Sequence, residues 1–230
     1  MQEERGCDRI EKSMVIKWYG QSFFEIRAKR SKQEEVKIAI DPFDETLGLK
    51  VPKIEADILL ITHSHKDHSN KKAILGTPFL IETPGEYETK GVFIKGIRGF
   101  HDNAEGKERG VTTIYKIEVE EMKVCHLGDI GQKELKEEQL EEIGEVDVLM
   151  IPVGGIFTTG PKEAANIISQ IEPKIVIPMH YKIPKLKLNL EPLEKFLKIM
   201  GREEIEPQKK LKISLKDLPK EETEIVVLKP

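Results

Sequence analysis

The sequence is poor in several features, and each shortage excludes a class of protein. It has only two cysteines, Cys7 and Cys125, too few for a disulfide framework. No uncharged apolar run reaches the ~20 residues that cross a bilayer, and residues 1–13 lack the apolar centre of a secretory signal. Lys and Arg number 37 against 41 Asp and Glu, a net charge of −4, so the basic excess of a sequence-independent nucleic-acid binder is missing. We therefore expect a soluble cytoplasmic protein.

The composition is nevertheless that of a protein with a sizeable core. Hydrophobic residues make up 38% and charged residues 34% of the chain, far from the composition of a disordered protein. We predict one domain over residues 14–230 and a frayed tail over residues 1–13, because the tail has no apolar periodicity. The first ordered pattern begins at Met14 with VIKWYG. Apolar stretches predict strands at residues 22–28, 36–40, 57–62, 79–82, 87–97, 111–118, 123–127, 147–152, 174–179 and 224–228. Helical spacing of apolar residues, with a weaker pattern in the first segment, predicts helices at residues 134–143, 161–171 and 192–200.

Three of the six histidines fall within six residues, in the segment HSHKDH. His63, His65 and His68 directly follow the continuous apolar run 57–62, with Asp67 between them. A strand buried on both faces fixes the backbone of the loop that follows it, and alternation sends His63 and His65 to the same side. Imidazole suits zinc and similar ions, and an added carboxylate tolerates harder ions such as manganese. The segment therefore predicts a metal site.

Other apolar strands also end in a potential metal ligand. The predicted strands at 87–97, 123–127 and 174–179 are followed by His101, Asp129 and His180. Together with the HSHKDH segment this makes seven candidate ligands: His63, His65, Asp67, His68, His101, Asp129 and His180. A catalytic zinc takes about three ligands from protein. Seven therefore suit two ions, each with three ligands of its own and one bridging carboxylate.

The ordered ligand set resembles that of the metallo-β-lactamase superfamily. Within it, the chain is similar over residues 14–228 to a short, single-domain branch of metal-dependent hydrolases related to L-ascorbate-6-phosphate lactonase. The supporting stretches are IDP at 40–42, GKERG at 106–110, HLGD at 126–129, VGG at 153–155 and PMHY at 178–181. Gln21 and Gln132 depart from the branch, where histidine is common at both positions.

The resemblance implies an α/β fold, a four-layer αββα sandwich with the site at one edge. It also implies that His63, His65 and His101 hold the first ion, that Asp67, His68 and His180 hold the second, and that Asp129 bridges them. Two divalent ions sharing a water lower its pKa toward neutrality, and the resulting hydroxide attacks an ester, lactone, amide or phosphodiester. We expect Asp67 to orient this hydroxide and to carry its proton.

Further residues are candidates for supporting roles. Asp41, after a predicted strand, either accepts a hydrogen bond from a ligating imidazole or forms a turn before Pro42. His126 and Cys125 are expected to pack in the core. Candidate substrate contacts are Lys107, Arg109, Thr158, Thr159 and Tyr181.

We predict from this a metal-dependent hydrolase with two divalent ions, zinc first and manganese second, that cleaves a small ester, lactone or phosphoester. The expected partner is a small-molecule substrate. We expect no contact with a membrane, the charge argues against nucleic acid as a partner, and formation of a homo-oligomer is left open. One alternative is a nuclease, which shares the motif but carries an added RNA-binding segment and a basic surface. A second alternative is a metal-binding regulatory protein with little turnover, because fold and ligands do not name a substrate.

Overall fold

The computed structural model describes residues 12–29, 31 and 34–230. Within these residues the chain forms fifteen strands, three α-helices and three 3₁₀ helices. The strands are β1 (Ser13–Trp18), β2 (Phe24–Lys29), β3 (Glu35–Ile40), β4 (Ile54–Glu55), β5 (Ile58–Leu60), β6 (Ile74–Leu75), β7 (Phe79–Ile81), β8 (Gly85–Thr89), β9 (Val92–Phe100), β10 (Val111–Val119), β11 (Met122–His126), β12 (Val148–Pro152), β13 (Ile175–Met179), β14 (Leu211–Ile213) and β15 (Glu224–Ile225). The α-helices are α1 (Glu137–Ile143), α2 (Pro161–Ile171) and α3 (Leu193–Ile199), and the 3₁₀ helices are Glu45–Leu47, Lys71–Ala73 and Leu215–Asp217.

Most strands belong to two mixed sheets. One has the order β14-β1-β2-β3-β5-β7 and the other β15-β13-β12-β11-β10-β9-β8, while β4 and β6 pair separately. In the first sheet β3, β5 and β7 run parallel. In the second, β11, β12 and β13 run parallel, and β9 points the same way because β10 is antiparallel to both of its neighbours. The carboxyl ends of these strands therefore collect at one edge of each sheet.

A single apolar core takes side chains from both sheets. The short strands β5, β12 and β13 are buried at every residue, as their continuous apolar sequences predict. Tyr115 on β10 crosses between the sheets: its hydroxyl donates to the carbonyl of Ile61, 2.9 Å away, and lies 3.2 Å from that of Ile81. The loop that follows β5 is thus anchored to the opposite sheet.

The α-helices all follow β11 in the chain. α1 and α2 lie in the connections β11–β12 and β12–β13, the arrangement that parallel neighbouring strands require. The parallel connections of the first sheet contain the 3₁₀ helices Glu45–Leu47 and Lys71–Ala73 and no α-helix. The result is the mixed α/β architecture that the sequence predicts, with few helices and two sheets.

Some element boundaries differ from the prediction. The apolar stretch 87–97 was expected to be one strand, but Lys90 and Gly91 both have positive φ and turn the chain between β8 and β9. The predicted helix 134–143 begins only at Glu137, and the predicted strand 224–228 shortens to β15. The strands β4, β6 and β14 were not predicted, because two or three residues give no readable periodicity.

The predicted tail over residues 1–13 lies mostly outside the described residues. Of its last two residues, Ser13 belongs to β1 and pairs with Lys29, and the amine of Lys12 lies 2.8 Å from the Glu121 carboxylate. The ordered pattern therefore starts at least one residue before Met14. Across the described part of the chain, no helix is long and apolar enough to cross a membrane.

Candidate metal centre

Five strands deliver polar side chains to one place. Asp41 directly follows β3, and His101 and His180 directly follow β9 and β13. His63 and Asp129 come three residues after the ends of β5 and β11. Because the carboxyl ends of these strands lie at the same edge of their sheets, the side chains converge on a shared space between the two sheets.

The backbone turns sharply where these ligands leave their strands. Asp41 and His180 have φ of 50° and 52°, in the left-handed region that most residues avoid. Gly128 has φ of 56°, and a Cβ there would lie 2.5 Å from Thr112 Oγ1. Glycine is therefore required one residue before Asp129 for the loop to approach the site this closely. Strained backbone of this kind is typical of functional sites.

The first group of side chains is His63, His65 and His101. One nitrogen from each lies within 4.8 Å of the others. His63 Nε2 and His65 Nδ1 are 3.0 Å apart, and the ring centroids of His63 and His101 are 5.0 Å apart. Two nitrogens placed tetrahedrally around zinc at 2.0–2.1 Å are ~3.4 Å apart. The three imidazoles thus have the spacing that one shared ion needs.

The second group is Asp67, His68, Asp129 and His180, whose ligand atoms also lie within 4.8 Å of one another. Asp129 Oδ2 lies 3.0 Å from His68 Nε2 and 3.4 Å from His180 Nε2. The same oxygen lies 3.4 Å from His101 Nε2 in the first group. Asp129 therefore contacts both groups, as expected of a bridging carboxylate.

Asp41 and Thr62 hold two of the histidines in a defined tautomer. Asp41 Oδ2 accepts hydrogen bonds from His68 Nδ1 at 2.9 Å and from the Thr62 hydroxyl at 2.6 Å. Since that hydroxyl donates its proton to Asp41, it accepts the hydrogen bond from His63 Nδ1, 3.0 Å away. His63 and His68 then turn Nε2 toward the site, and this is the nitrogen that a metal ion would take. Such outer contacts orient metal-binding imidazoles.

Buried polar atoms without hydrogen bonds also test whether the residues here fit a cation. Among the described residues, His68 Nε2 and both ring nitrogens of His180 are buried and make no hydrogen bond of acceptable geometry, although Asp129 Oδ2 lies 3.0 Å from His68 Nε2. Buried polar atoms are normally paired, and each exception requires an explanation. A divalent ion between these nitrogens and the Asp129 carboxylate explains them together, so the residues present fit the metal group.

The electrostatics of the site favour positive charge. Burial lowers the pKa of His68, but the carboxylates of Asp129 and Asp41 outweigh burial and raise it well above its ordinary value. Burial raises the pKa of Asp129, but His180 and His68 hold it well below its usual range. Burial, helped by the charge of His68, lowers the pKa of His63 to about 3. The Asp129 carboxylate is therefore ionised and His63 is neutral, the forms that bind metal. The raised pKa of His68 favours its protonated form, and a metal ion would take the place of the proton on Nε2.

A family model of the beta-lactamase superfamily domain matches residues 15–180. The chain belongs to the metallo-β-lactamase superfamily. A UPF0173 metal-dependent hydrolase from Thermococcus onnurineus is 31% identical over 193 residues, which cover 72% of this chain and 84% of the relative. A solved Thermotoga maritima structure, described as a Zn-dependent hydrolase of this superfamily, is 34% identical with a TM-score of 0.73. It covers 94% of this chain, and this chain covers 100% of it.

Similarity in fold extends to more distant proteins. The diiron β-hydroxylase CmlA from Streptomyces venezuelae is 14% identical with a TM-score of 0.62, over 88% of this chain and 54% of CmlA. At this identity the likeness shows the fold alone.

The superfamily and the α/β fold class predicted from the sequence are confirmed. The predicted enzyme class is confirmed as well, since this metallo-β-lactamase superfamily member is a metal-dependent hydrolase. The roles of individual residues stay predictions.

Two of the candidate substrate contacts lie beside the metal centre of this superfamily member. Arg109 and Thr158 line a cleft of about 330 Å³ that also includes His101 and Phe157. The cleft opens next to the first group of histidines. Both residues therefore line the same cleft as His101 and can contact a substrate bound there.

The other three candidates lie elsewhere. Lys107 is exposed and does not line this cleft. Thr159 is buried and its hydroxyl donates to the Pro152 carbonyl at 2.8 Å. Tyr181 is 5% exposed and its ring packs 5.1 Å from that of Trp18. The structure gives Thr159 and Tyr181 packing roles, because their side chains point into the core rather than toward the cleft.

Gln21 contacts two of the predicted ligands. In the sequence it stood out only because histidine is common at this position in the branch of similar hydrolases. Its Nε2 donates to Asp67 Oδ2 at 3.2 Å, and its backbone carbonyl accepts from the His180 amide at 3.0 Å. The side-chain Oε1 is buried and has no partner among the described residues. Gln21 therefore joins two predicted ligands of the second ion and leaves one acceptor free.

His126 and Gln132 have structural partners instead. His126 Nε2 lies 3.1 Å from the Ser22 carbonyl, and Nδ1 accepts the Gly128 amide at 3.1 Å. Gln132 Oε1 accepts the Phe100 amide at 3.0 Å. Each residue fixes the backbone next to a predicted ligand and lies outside both ligand groups.

Proposed function

We propose that this chain is a binuclear hydrolase of small esters, lactones or phosphoesters. In the proposal His63, His65 and His101 hold the first ion, while Asp67, His68 and His180 hold the second. The observation that carries it is the position of Asp129, whose Oδ2 lies within 3.4 Å of His68, His101 and His180. Zinc is the first candidate ion, because five of the seven ligands are imidazoles, and manganese is the second.

Two bound ions would lower the pKa of a water at the site. Their positive charge would also stabilise the negative charge that develops on the substrate during hydrolysis. The protein's own part in the chemistry falls to Asp67. Its Oδ2 accepts the Gln21 amide at 3.2 Å, and its side chain is 22% exposed, so it faces the opening of the site. A carboxylate held in this way can take a proton from the attacking water and pass it to the leaving group.

The size and charge of the surroundings favour a small substrate. The cleft beside His101 has a volume of about 330 Å³, at the lower end of pockets for small molecules. The net charge of −4 does not favour the phosphate backbone of a nucleic acid. Homo-oligomer formation and a cytoplasmic location stay predictions.

The test is a substrate panel on protein loaded separately with zinc and with manganese. We expect two ions per chain at saturation and turnover of esters, lactones or phosphoesters. Asp129→Asn should release at least one ion and abolish turnover, because it removes the carboxylate shared by both groups. His126→Gln, three residues away and outside both groups, is the comparison variant and should lose much less activity than Asp129→Asn.

Three results would contradict the proposal. One ion per chain at saturation would exclude a binuclear centre. Turnover confined to RNA or DNA would support the nuclease alternative. Full ion loading without turnover of any substrate in the panel would support a regulatory, metal-binding role.

A further inference from the structure

The cleft beside His101 has walls from two loops. One loop, residues 102–110, follows β9, and the other, residues 153–160, follows β12. Arg109 belongs to the first loop, and Ile156 and Phe157 belong to the second. Because His101 is part of the same wall, a molecule in the cleft lies against the predicted ligands of the first ion.

The first loop is held in shape by one carboxylate. Asp102 Oδ1 accepts the amides of Ala104 and Gly106 at 2.7 and 2.8 Å. Its Oδ2 accepts the amides of Glu108 and Arg109 at 3.0 and 2.8 Å. These four hydrogen bonds occupy the Asp102 carboxylate and fix the backbone of Arg109 relative to His101.

The Arg109 side chain bridges the two loops. Its guanidinium carbon lies 5.0 Å from the centroid of the Phe157 ring. Among the described residues, no carboxylate lies within ion-pair distance of Arg109, although other surface cations of the chain are paired. A guanidinium stacked on a ring keeps its in-plane N–H donors free for a carboxylate or phosphate. Arg109 is thus an oriented and unpaired cation at the cleft.

Ile156 adds an apolar wall in an unfavourable conformation. Its φ is 64°, and its side chain is 57% exposed. A β-branched residue is strained in the left-handed region, and exposure of the side chain brings no compensating burial. Strain without a packing benefit indicates a role for the side chain outside the fold itself.

We propose that this cleft selects small substrates that carry a carboxylate or phosphate away from the bond to be cleaved. The anionic group is bound by Arg109, and the rest of the molecule lies against Phe157 and Ile156. Glu108 also lines the cleft, and its negative charge limits how tightly an anion binds. This inference rests on the proposed hydrolase function and names the substrate class of the same site.

The experiment compares 4-nitrophenyl esters whose acyl chain ends in a carboxylate with esters of equal length that end in a methyl group, over several chain lengths. In the metal-loaded protein, Arg109→Met should raise KM for the carboxylate esters about 10–100-fold, the usual value of a charge-assisted hydrogen bond. Their kcat and the kinetics of the methyl esters should stay within twofold. Glu108→Gln should lower KM for the carboxylate esters.

Arg98→Met is the matched control, because Arg98 stacks on Phe100 at 5.8 Å but does not line the cleft. It should leave both ester series unchanged. Ile156→Asn tests the apolar wall, since asparagine tolerates a positive φ. This variant should raise KM for both series roughly threefold to tenfold, as expected for a lost apolar contact, without lowering the unfolding midpoint.

A binding measurement separates this inference from the proposed function. Glutarate binding, followed by calorimetry on the loaded protein, should weaken at least tenfold in Arg109→Met and not in Arg98→Met. If no ester is turned over but glutarate still depends on Arg109, the hydrolase proposal fails and the anion site stands. Equal effects of Arg109→Met on both ester series, or unchanged glutarate affinity, would overturn the anion site.

Discussion

Replacing Asp41 by asparagine should weaken both ion sites at once. Asp41 is fully buried and accepts three hydrogen bonds, from the Thr62 amide at 2.8 Å, the Thr62 hydroxyl at 2.6 Å and His68 Nδ1 at 2.9 Å. An asparagine oxygen can keep the amide contact. The asparagine NH₂ group would then face two donors, so the contacts that orient His68 directly and His63 through Thr62 are lost.

The size of the effect follows from the number of imidazoles affected. Loss of an outer contact to a metal-binding residue typically costs 10–100-fold in affinity. Asp41 supports one histidine in each ligand group, so each ion should lose about 10–100-fold, or about 1.4–2.8 kcal/mol. Thr62→Val should weaken mainly the first ion, because it removes the hydroxyl next to His63 and leaves the contact between Asp41 and His68.

The assay is a zinc titration in competition with a chelator of known affinity, beside a denaturant unfolding curve for each variant. Asp147→Asn is the matched control, because Asp147 also accepts a backbone amide, that of Lys123 at 2.7 Å, but lies outside the site. It should bind both ions as the wild type does. A folded Asp41→Asn protein with wild-type affinity for both ions would refute the reasoning.

Three further predictions test other parts of the structure. Gln21→Leu should lower kcat about tenfold with little change in ion content, because Asp67 loses a hydrogen bond of about 1.5 kcal/mol. Steady-state kinetics and metal analysis measure both quantities, and an unchanged kcat would show that Gln21 does not position Asp67. Removal of the ions with EDTA should lower the unfolding midpoint, since an ion at 100 times its Kd contributes about 2.7 kcal/mol; an unchanged midpoint would mean that the ions do not stabilise the native state. Deletion of residues 1–11 should leave the unfolding midpoint and ion content as they are, and a large drop in either would show that this segment packs on the domain.

Local patterns were sufficient to predict much of the fold. The predicted strands 57–62, 147–152 and 174–179 each have a continuous apolar centre, and these centres form the buried strands β5, β12 and β13. Helix α2 begins and ends where Pro161 and Pro173 lead one to expect. The hairpin of β8 and β9 was missed because the strand-favouring residues Tyr87 and Thr89 precede Lys90 and Val92 follows it, so the pattern alone did not reveal the turn.

The candidate ligands could be found from the sequence because each one follows a strand. Burial forces the strand, the strand ends at a definite residue, and a histidine or aspartate at that point is visible in the sequence as HSHKDH or HLGD. Among the side chains that orient these ligands, Asp41 also follows a predicted strand and was a candidate, but its partners could not be read from the sequence. Thr62 and Gln21 carry no such mark. The contact of Asp41 with Thr62 joins residues 21 positions apart, and that of Gln21 with Asp67 joins residues 46 positions apart.

Local sequence patterns are enough to predict that apolar strands end in imidazoles and carboxylates, a set suited to two divalent ions. The relative placement of the strands establishes the remaining contacts. Asp129 Oδ2 lies against both ligand groups, the Thr62 hydroxyl lies against His63 Nδ1, and the loops 102–110 and 153–160 form one cleft. Arg109 and Phe157 come from loops after different strands, and their contact exists because the parallel strands β9 and β12 end at the same edge of one sheet. Periodicity reports burial along one segment, whereas such contacts depend on how separate segments are brought together in space.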